Sequence, residues 1–512
     1  MDTGKIWIIV TIVVSALCLC LCVGLAVAGG LIWSVSGEAG LSDPQSIQIP
    51  FQPNPTEPAI NVEIVPVPAG DAAYQTLMNL RAAEVPGSDL RDLAARFKGL
   101  TGIPKTLPAP AQEYQVGDIE TFWVANLDNN QSFSIKAKLA AVTPSSYFWV
   151  ENGLEYNTHH LNALASAFND KIYPTNREFF GSEWYPGIDN DPRLYILYAS
   201  GLGSSVAGYF SSADAVHPLA HPYSNGHEMF LLSADNTLLD DDFTYGVLAH
   251  EFQHSIHWYR DRNEESWLNE GFSELAAFLN GYNPGGFDYL FALNPDLQLN
   301  DWPNSDDTSP HYGASFLFVH YFLEQFGEEA TRAVVADPDN GFESIDQLLS
   351  EMGAVRNADD VFMNWTIANY LNDAGISSGL YGYETYDPPT FNDTETITAC
   401  DTAEWRKRSV SQYGTDYIRF DCGSDFTLTF QGNGEVSVLP TGAYSGDYAF
   451  WSNRVDESDS TLAQTFDFRT VTSPIEMSYQ VWYDLETGYD YLYLTASTDG
   501  ETWQIIPTPA CT

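Results

Sequence analysis

The sequence predicts an α+β chain: a domain of mixed strands and helices followed by an all-β region. Three observations carry this. Residues 114–151 alternate apolar and polar side chains, the pattern of half-buried strands, with Asp128-Asn129-Asn130 as a turn. From about residue 244 to residue 371, apolar residues recur every third or fourth position, as on amphipathic helices. Beyond about Tyr386 the helical period gives way to short apolar runs divided by Gly, Asp and Thr.

Taken in order, residues 1–5 form a short tail and residues 6–28 an almost uninterrupted apolar run, long enough to span a bilayer. Lys5 precedes the run, and Glu38 and Asp43 follow it. The tail is therefore expected on the cytoplasmic side and the bulk of the chain outside, tethered to the membrane by this helix. Ala26-Val27-Ala28 also fits a signal-peptidase site, which leaves a cleaved signal as the alternative to an anchor. Residues 29–113 read as a Pro-rich stalk that contains one amphipathic helix over 71–98 and a second Pro-rich linker over 101–110.

Residues 114–385 form the mixed domain. Residues 193–199 and 229–234, rich in Tyr, Ile, Leu and Phe, read as strands; the second is expected at a sheet edge, free to pair with an extended chain. Thr244 is expected to cap the next helix, with Asp240, Asp241 and Asp242 at its positive end. Leu248, Phe252 and Ile256 make its buried stripe. Ser266 and Gly281 are expected to bound a second helix, with Leu268, Phe272, Leu275 and Leu279 inward. Helical patterns over 311–326, 328–335, 345–352 and 358–371 predict a helical lobe.

Residues 386–436 read as a β-rich connection. Cys400 and Cys422 lie in this outward-facing region and are expected to form a disulfide, although Cys511 leaves the pairing open. Residues 437–512 read as a β-sandwich with strand runs at 449–451, 477–483, 491–496 and 503–506. A double-sheet jelly roll has about eight strands, so an incomplete sandwich with an exposed edge is expected, from a truncated chain or one completed by a partner.

Acidic residues number 69 against 21 basic ones, a formal net charge of -48, yet charged residues make up only 18% of the chain. The acidity thus reflects scarce Lys and Arg. Such a surface repels nucleic acid, so no nucleic-acid partner is expected, and it favours hard cations. Asp189-Asn190-Asp191, Asp235 and Asp240, Asp241 and Asp242 offer oxygen ligands for Ca2+, or are solvated acidic loops.

The chemistry concentrates in His250-Glu251-Phe252-Gln253-His254 and Trp267-Leu268-Asn269-Glu270-Gly271-Phe272-Ser273-Glu274. Two histidines four apart on a helix project from one face and can share a metal ion, while the intervening glutamate sits where it can take a proton from water. Glu270 on the second helix can serve as a third protein ligand, leaving the fourth position of a catalytic Zn2+ open. Glu274, one turn on, can orient a ligating imidazole. His257 lies seven residues after His250, about 10 Å along a continuous helix, too far to share the ion. At the start of a later helix, His311 and Tyr312 are each suited to donate to an oxyanion, or to pack as aromatics.

These residues resemble the gluzincin metallopeptidases, the thermolysin-type group with glutamate as third ligand. Residues 114–373 resemble the hyicolysin-like peptidases. Residues 446–453, with Trp482-Tyr483-Asp484 and Gly488-Tyr489-Asp490, resemble the β-sandwich of immune inhibitor A-like secreted peptidases. The resemblance implies a thermolysin-like domain with a helical C-terminal lobe and an appended jelly-roll-like sandwich. It implies His250, His254 and Glu270 as zinc ligands, Glu251 as general base and Glu274 behind the ligands. A metzincin would need glycine in place of His257 and histidine in place of Arg260. The Trp-Leu-Asn-Glu-Gly-Phe run is shared with the aminopeptidase N group, but Asn225-Gly226-His227-Glu228-Met229 does not give that group's Gly-x-Met-Glu-Asn loop. The expectation is an extracellular, membrane-tethered zinc endopeptidase acting on proteins or peptides. The alternatives are a zinc aminopeptidase and a surface adhesion protein with an inactive peptidase fold.

Overall fold

A computed structural model describes residues 70–508, apart from 284, 304–306, 401–403 and 487. The apolar run 6–28, the stalk up to residue 69 and Cys511 lie outside the described residues. Among the described residues no helix is long and apolar enough to cross a membrane.

The single helix expected over 71–98 is two, α1 (Asp71–Arg81) and α2 (Leu90–Lys98). Pro86 and Gly87 lie between them, a pair that cannot continue a helix, and Asp89 restarts it by accepting from the Arg91 backbone N–H at 2.9 Å.

Strands β1 (Ile119–Asn126), β2 (Gln131–Val142) and β3 (Ser146–Glu151) form an antiparallel meander. Helices α3 (Thr158–Ala167) and α4 (Tyr173–Phe180), joined by a π turn, then cross to β4 (Leu194–Ala199), which lies parallel to β3. Next come β5 (Gly208–Phe210) and β6 (Met229–Ser233), and the sheet order is β1-β2-β3-β4-β6-β5. Every residue of β4 and β6 is buried, as expected of strands covered on both faces. One face, through Phe148, Ile196, Phe230 and Leu232, packs under the helices; the other, through Phe122, Trp149, Tyr195 and Leu231, forms a smaller core with Tyr114 and Phe133.

The strand over 229–234 is therefore not the edge. β6 pairs with β4 on one side and β5 on the other, so the edge falls to the three-residue β5. Strand order depends on pairing between distant segments, which local pattern does not encode.

Helix α5 (Asp242–Arg260) lays Leu248, Phe252 and Ile256 on the sheet, as expected. Its cap is Asp241, which accepts from Phe243 N–H at 3.1 Å; Thr244 lies inside the helix and donates its hydroxyl to Leu238 O at 2.6 Å. Helix α6 (Ser266–Leu279) likewise begins at Ser266 instead of being capped by it, and that hydroxyl donates to Asp456 at 2.7 Å. Thr244 finds its acceptor six residues back and Ser266 finds one in a distant segment, so each hydroxyl bonds a group other than the start of its helix. Gly281, at φ +72°, lies just beyond the α6 terminus, where a left-handed residue is favoured.

After α7 (Phe287–Leu293), the two helices expected over 311–326 and 328–335 are the two halves of α8 (Ser309–Val334), parted at Gly327, whose backbone is not helical (φ 85°, ψ 174°). Helices α9 (Gly341–Glu351) and α10 (Ala358–Leu371) complete the lobe around Trp267, Phe318, Phe342 and Trp365.

Strands β7 (Glu395–Ile397) and β8 (Ile418–Phe420) pair in parallel, and the Cys400–Cys422 disulfide joins the chain just beyond them, its Cα atoms 5.7 Å apart. The sandwich expected over 437–512 is not present among the described residues, which hold only the two-residue pair of β9 (Thr495–Ala496) and β10 (Gln504–Ile505). Phe450, Tyr479, Tyr483 and Tyr491 are exposed. Alternating runs become strands only when neighbours take their backbone bonds and a second layer covers the apolar face, and four runs are too few for both layers.

Helices α6 and α8 approach closely at Gly271, where an added Cβ would lie 2.9 Å from Ser315 O and 3.0 Å from Val319 Cγ1. Gly271→Ala should therefore destabilise the protein by about 1–3 kcal/mol, read as a lower denaturant midpoint.

Candidate active site

His250 and His254 stand one turn apart on α5, their Nε2 atoms 3.0 Å from each other. Helix α6 brings Glu270 Oε2 to 3.1 Å from His250 Nε2 and 3.4 Å from His254 Nε2. Among the described residues this is the one group of three His, Cys, Asp or Glu side chains with ligand atoms within 4.8 Å of one another. Tetrahedral zinc with bonds of about 2.0–2.2 Å sets its donors about 3.3 Å apart, so the triangle fits the ion. Glu270 Oε2 is buried and, though near both rings, lacks hydrogen-bond geometry to either, as suits an atom with a metal to bind.

The outer ring nitrogens are held by other residues of α6. His250 Nδ1 lies 3.0 Å from Glu274 Oε1. His254 Nδ1 lies 3.0 Å from Asn269 Oδ1 and 3.1 Å from Ser273 Oγ, whose hydroxyl donates to Gln253 Oε1 at 2.7 Å. Protons held on the two Nδ1 atoms leave both Nε2 lone pairs for a metal. Sequence reasoning found Glu274 but missed Asn269 and Ser273. Their signal is the same four-residue spacing as Glu270 and Glu274, shifted by one position.

Glu251 is 5% exposed. Burial raises its pKa, against the lowering influence of His250 and His254, which moves the carboxylate towards the range of a general base. The Phe210 backbone N–H donates to it, and a Cβ on Gly208 would meet Glu251 Oε1 at 3.2 Å and Leu231 O at 2.7 Å. The edge strand thus runs directly beside this carboxylate, and only glycine lets it approach so closely. Burial also raises the pKa of Glu274; for Glu270 burial acts the same way, but His254 and His250 outweigh it and hold the group ionised.

The structure separates His311 from Tyr312. Tyr312 is wedged between Phe287 and Trp302 with its ring 6.1 Å from that of His250. Burial, then the carboxylates of Glu270, Glu274 and Glu251, push its phenol well above the usual range, so it remains a donor. His311 packs on Trp302, and its charged neighbours are Asp301 and Asp307, not the groups around His250. His257 is fully buried against Phe272 and stands outside the ligand cluster; burial pushes its pKa down to about 3.

Five of the carboxylates expected as calcium ligands engage protein donors instead, and Asp242 lies in the first turn of α5. Asp189 Oδ1 accepts from Asp191 N–H and its Oδ2 lies 2.7 Å from His227 Nδ1, while Asp191 Oδ2 accepts from Tyr147 at 3.0 Å. Asp235 accepts from Gly201 N–H, Asp240 pairs with His160 and Asp241 caps α5.

No family model matches the chain. The chain is similar to a neutral metalloprotease. It is 24% identical to neutral metalloprotease ShpI of Staphylococcus hyicus, over 52% of its own length and 66% of that protein's, just under two thirds. That protein is a metalloprotease, and the residues of this chain that could hold a metal are His250, His254 and Glu270.

Metal analysis of purified variants should separate the roles. Glu270→Ala should lose zinc and His257→Ala keep it. Ser273→Ala should weaken zinc affinity about 10–100-fold, as losses behind a ligating histidine do.

Proposed function

We propose that the chain is a zinc-dependent endopeptidase that cuts extended segments of protein or peptide substrates. The observation that carries this is the placement of Glu251 between the His250–His254–Glu270 triangle and edge strand β5. A substrate strand laid against the outer side of β5 would present its backbone carbonyl beside the Glu251 carboxylate, reading backbone more than side chains. His250, His254 and Glu270 would hold the zinc. When bound, zinc supplies Lewis acidity that brings water at the site within reach of a carboxylate base near neutral pH.

In this mechanism Glu251 removes the proton from the attacking water, holds it, and delivers it to the departing amine. Tyr312 donates its phenolic hydrogen to the substrate carbonyl oxygen as negative charge develops there. Asn269, Ser273 and Glu274 keep the two imidazoles oriented. The Cys400–Cys422 disulfide supports work in an oxidising compartment outside the cytosol.

With a peptide blocked at both ends as substrate, the zinc-loaded protein should cut internally and stop when the metal is chelated. Release of N-terminal residues from free peptides alone would favour an aminopeptidase, and a zinc-loaded protein inert on every substrate would favour a binding role. Glu251→Gln should retain zinc and lose about 10²–10⁴-fold in kcat. Full activity in that variant would reject the mechanism. Tyr312→Phe should lower kcat about 10²–10³-fold with KM little changed.

A further inference from the structure

Helix α5 ends at Arg260, and residues 261–265 turn the chain into α6, so this loop joins the two helices that carry the His/Glu triangle. Its interior is acidic, buried and incompletely bonded. Glu264 is 2% exposed and Asp261 8%. Glu264 Oε1 accepts from the backbone N–H groups of Glu265 and Gly341, each at 2.7 Å, whereas Oε2 is buried with no partner. Asp261 Oδ2 is buried and equally bare.

A second segment meets the loop from the turn before α9. Asn340 donates its amide N–H to Asn263 O at 2.7 Å, which leaves Asn340 Oδ1 buried without a partner. Asp337 and Asp339 in the same turn lie near enough to Asp261 to oppose its ionisation. Among the described residues, no Lys, Arg or His forms an ion pair with Asp261 or Glu264.

Three unpartnered oxygens, two of them on carboxyl groups, therefore belong to two segments that are bonded to each other. A buried acceptor left bare costs about 1–3 kcal/mol, and a buried charge costs more. Protonating one carboxyl supplies a single donor and leaves other acceptors bare. The Glu264 carboxyl bonds Gly341, the neighbour of Asn340, and senses the charge of Asp261. A hard divalent cation held between the two segments would thus give these oxygens a common partner, and an oxygen-only donor set of carboxylates and an amide carbonyl suits calcium.

We propose that Asp261, Glu264 and Asn340 bind a calcium-type cation that ties the α5–α6 loop to the turn before α9. Water or backbone carbonyls complete the coordination. The ion fixes the loop that sets α5 against α6, and so acts on the spacing of His250 and His254 from Glu270. The inference holds whether or not the chain cuts peptides.

Thermal unfolding of the full chain, zinc-loaded and at neutral pH, tests it. Added calcium should raise the midpoint by several degrees and magnesium should do less. Terbium should show emission sensitised by nearby tryptophan, displaced by calcium. Glu264→Gln and Asp261→Asn should abolish both signals, yet in calcium-free buffer be at least as stable as the parent, since each removes a buried negative charge. A stabilising ion lost together with a gain in ion-free stability is a pair of effects that a structural hydrogen bond alone would not give. His254→Ala should keep the calcium response, separating this ion from zinc, and Asn340→Ala should weaken it if the carboxyl variants do not fold. A parent indifferent to calcium, with Glu264→Gln more stable in both buffers, would overturn the proposal in favour of a buried protonated acid. So would terbium emission undiminished in both carboxyl variants.

Discussion

The packing of α6 against α5 is the contact on which the rest of the site depends. One helix presents His250, Glu251, Gln253 and His254; the other presents Asn269, Glu270, Ser273 and Glu274. Neither set means much alone, because each imidazole is positioned by α6, and Asn269, Ser273 and Glu274 are in turn engaged by α5. The Gln253–Ser273–His254 chain runs directly across this contact. Gly271 places α8 close behind α6, so Glu270 and Tyr312 are positioned by one packed helical layer.

That packing buries more negative charge than it pairs. Glu251, Glu270 and Glu274 surround two imidazoles away from water, and burial favours the neutral form of each acid. Such an array is strained towards a cation, and a dication at the His/Glu triangle relieves it most directly. The chain as a whole has the same character: with a formal net charge of -48, most of its carboxylates can find no basic partner. Carboxylates accordingly turn to backbone N–H groups, helix termini and tyrosines, as Asp241, Asp189, Asp191 and Glu228 do.

Among the described residues, the C-terminal region takes part in the same body with only the short β7–β8 and β9–β10 pairs as sheet. Arg454 bonds Asp301, Asp456 accepts from Ser266 and Glu457 accepts from the Trp258 indole at 3.1 Å. These contacts fall at the end of α5, the start of α6 and the approach to α8. Residues 454–457 are thus held by side-chain bonds to the helical lobe while exposed aromatics elsewhere in the region lack a packing layer.

The sequence by itself determined what depends on short spacing. The four-residue interval of His250 and His254, the Glu270–Glu274 pair and the stripe of Leu248, Phe252 and Ile256 follow from helical geometry, which a linear pattern encodes completely. It also marked Cys400 and Cys422, although their pairing with each other required three-dimensional proximity. Tertiary structure decided what depends on distant partners. It put β5 at the edge in place of β6, gave Asp241 the cap expected of Thr244, and turned Tyr312 towards His250 while His311 went to Trp302. Adjacent residues such as His311 and Tyr312 share a helix but face different neighbours. Periodicity fixes the angle between their side chains, and only the packed fold supplies what each one meets.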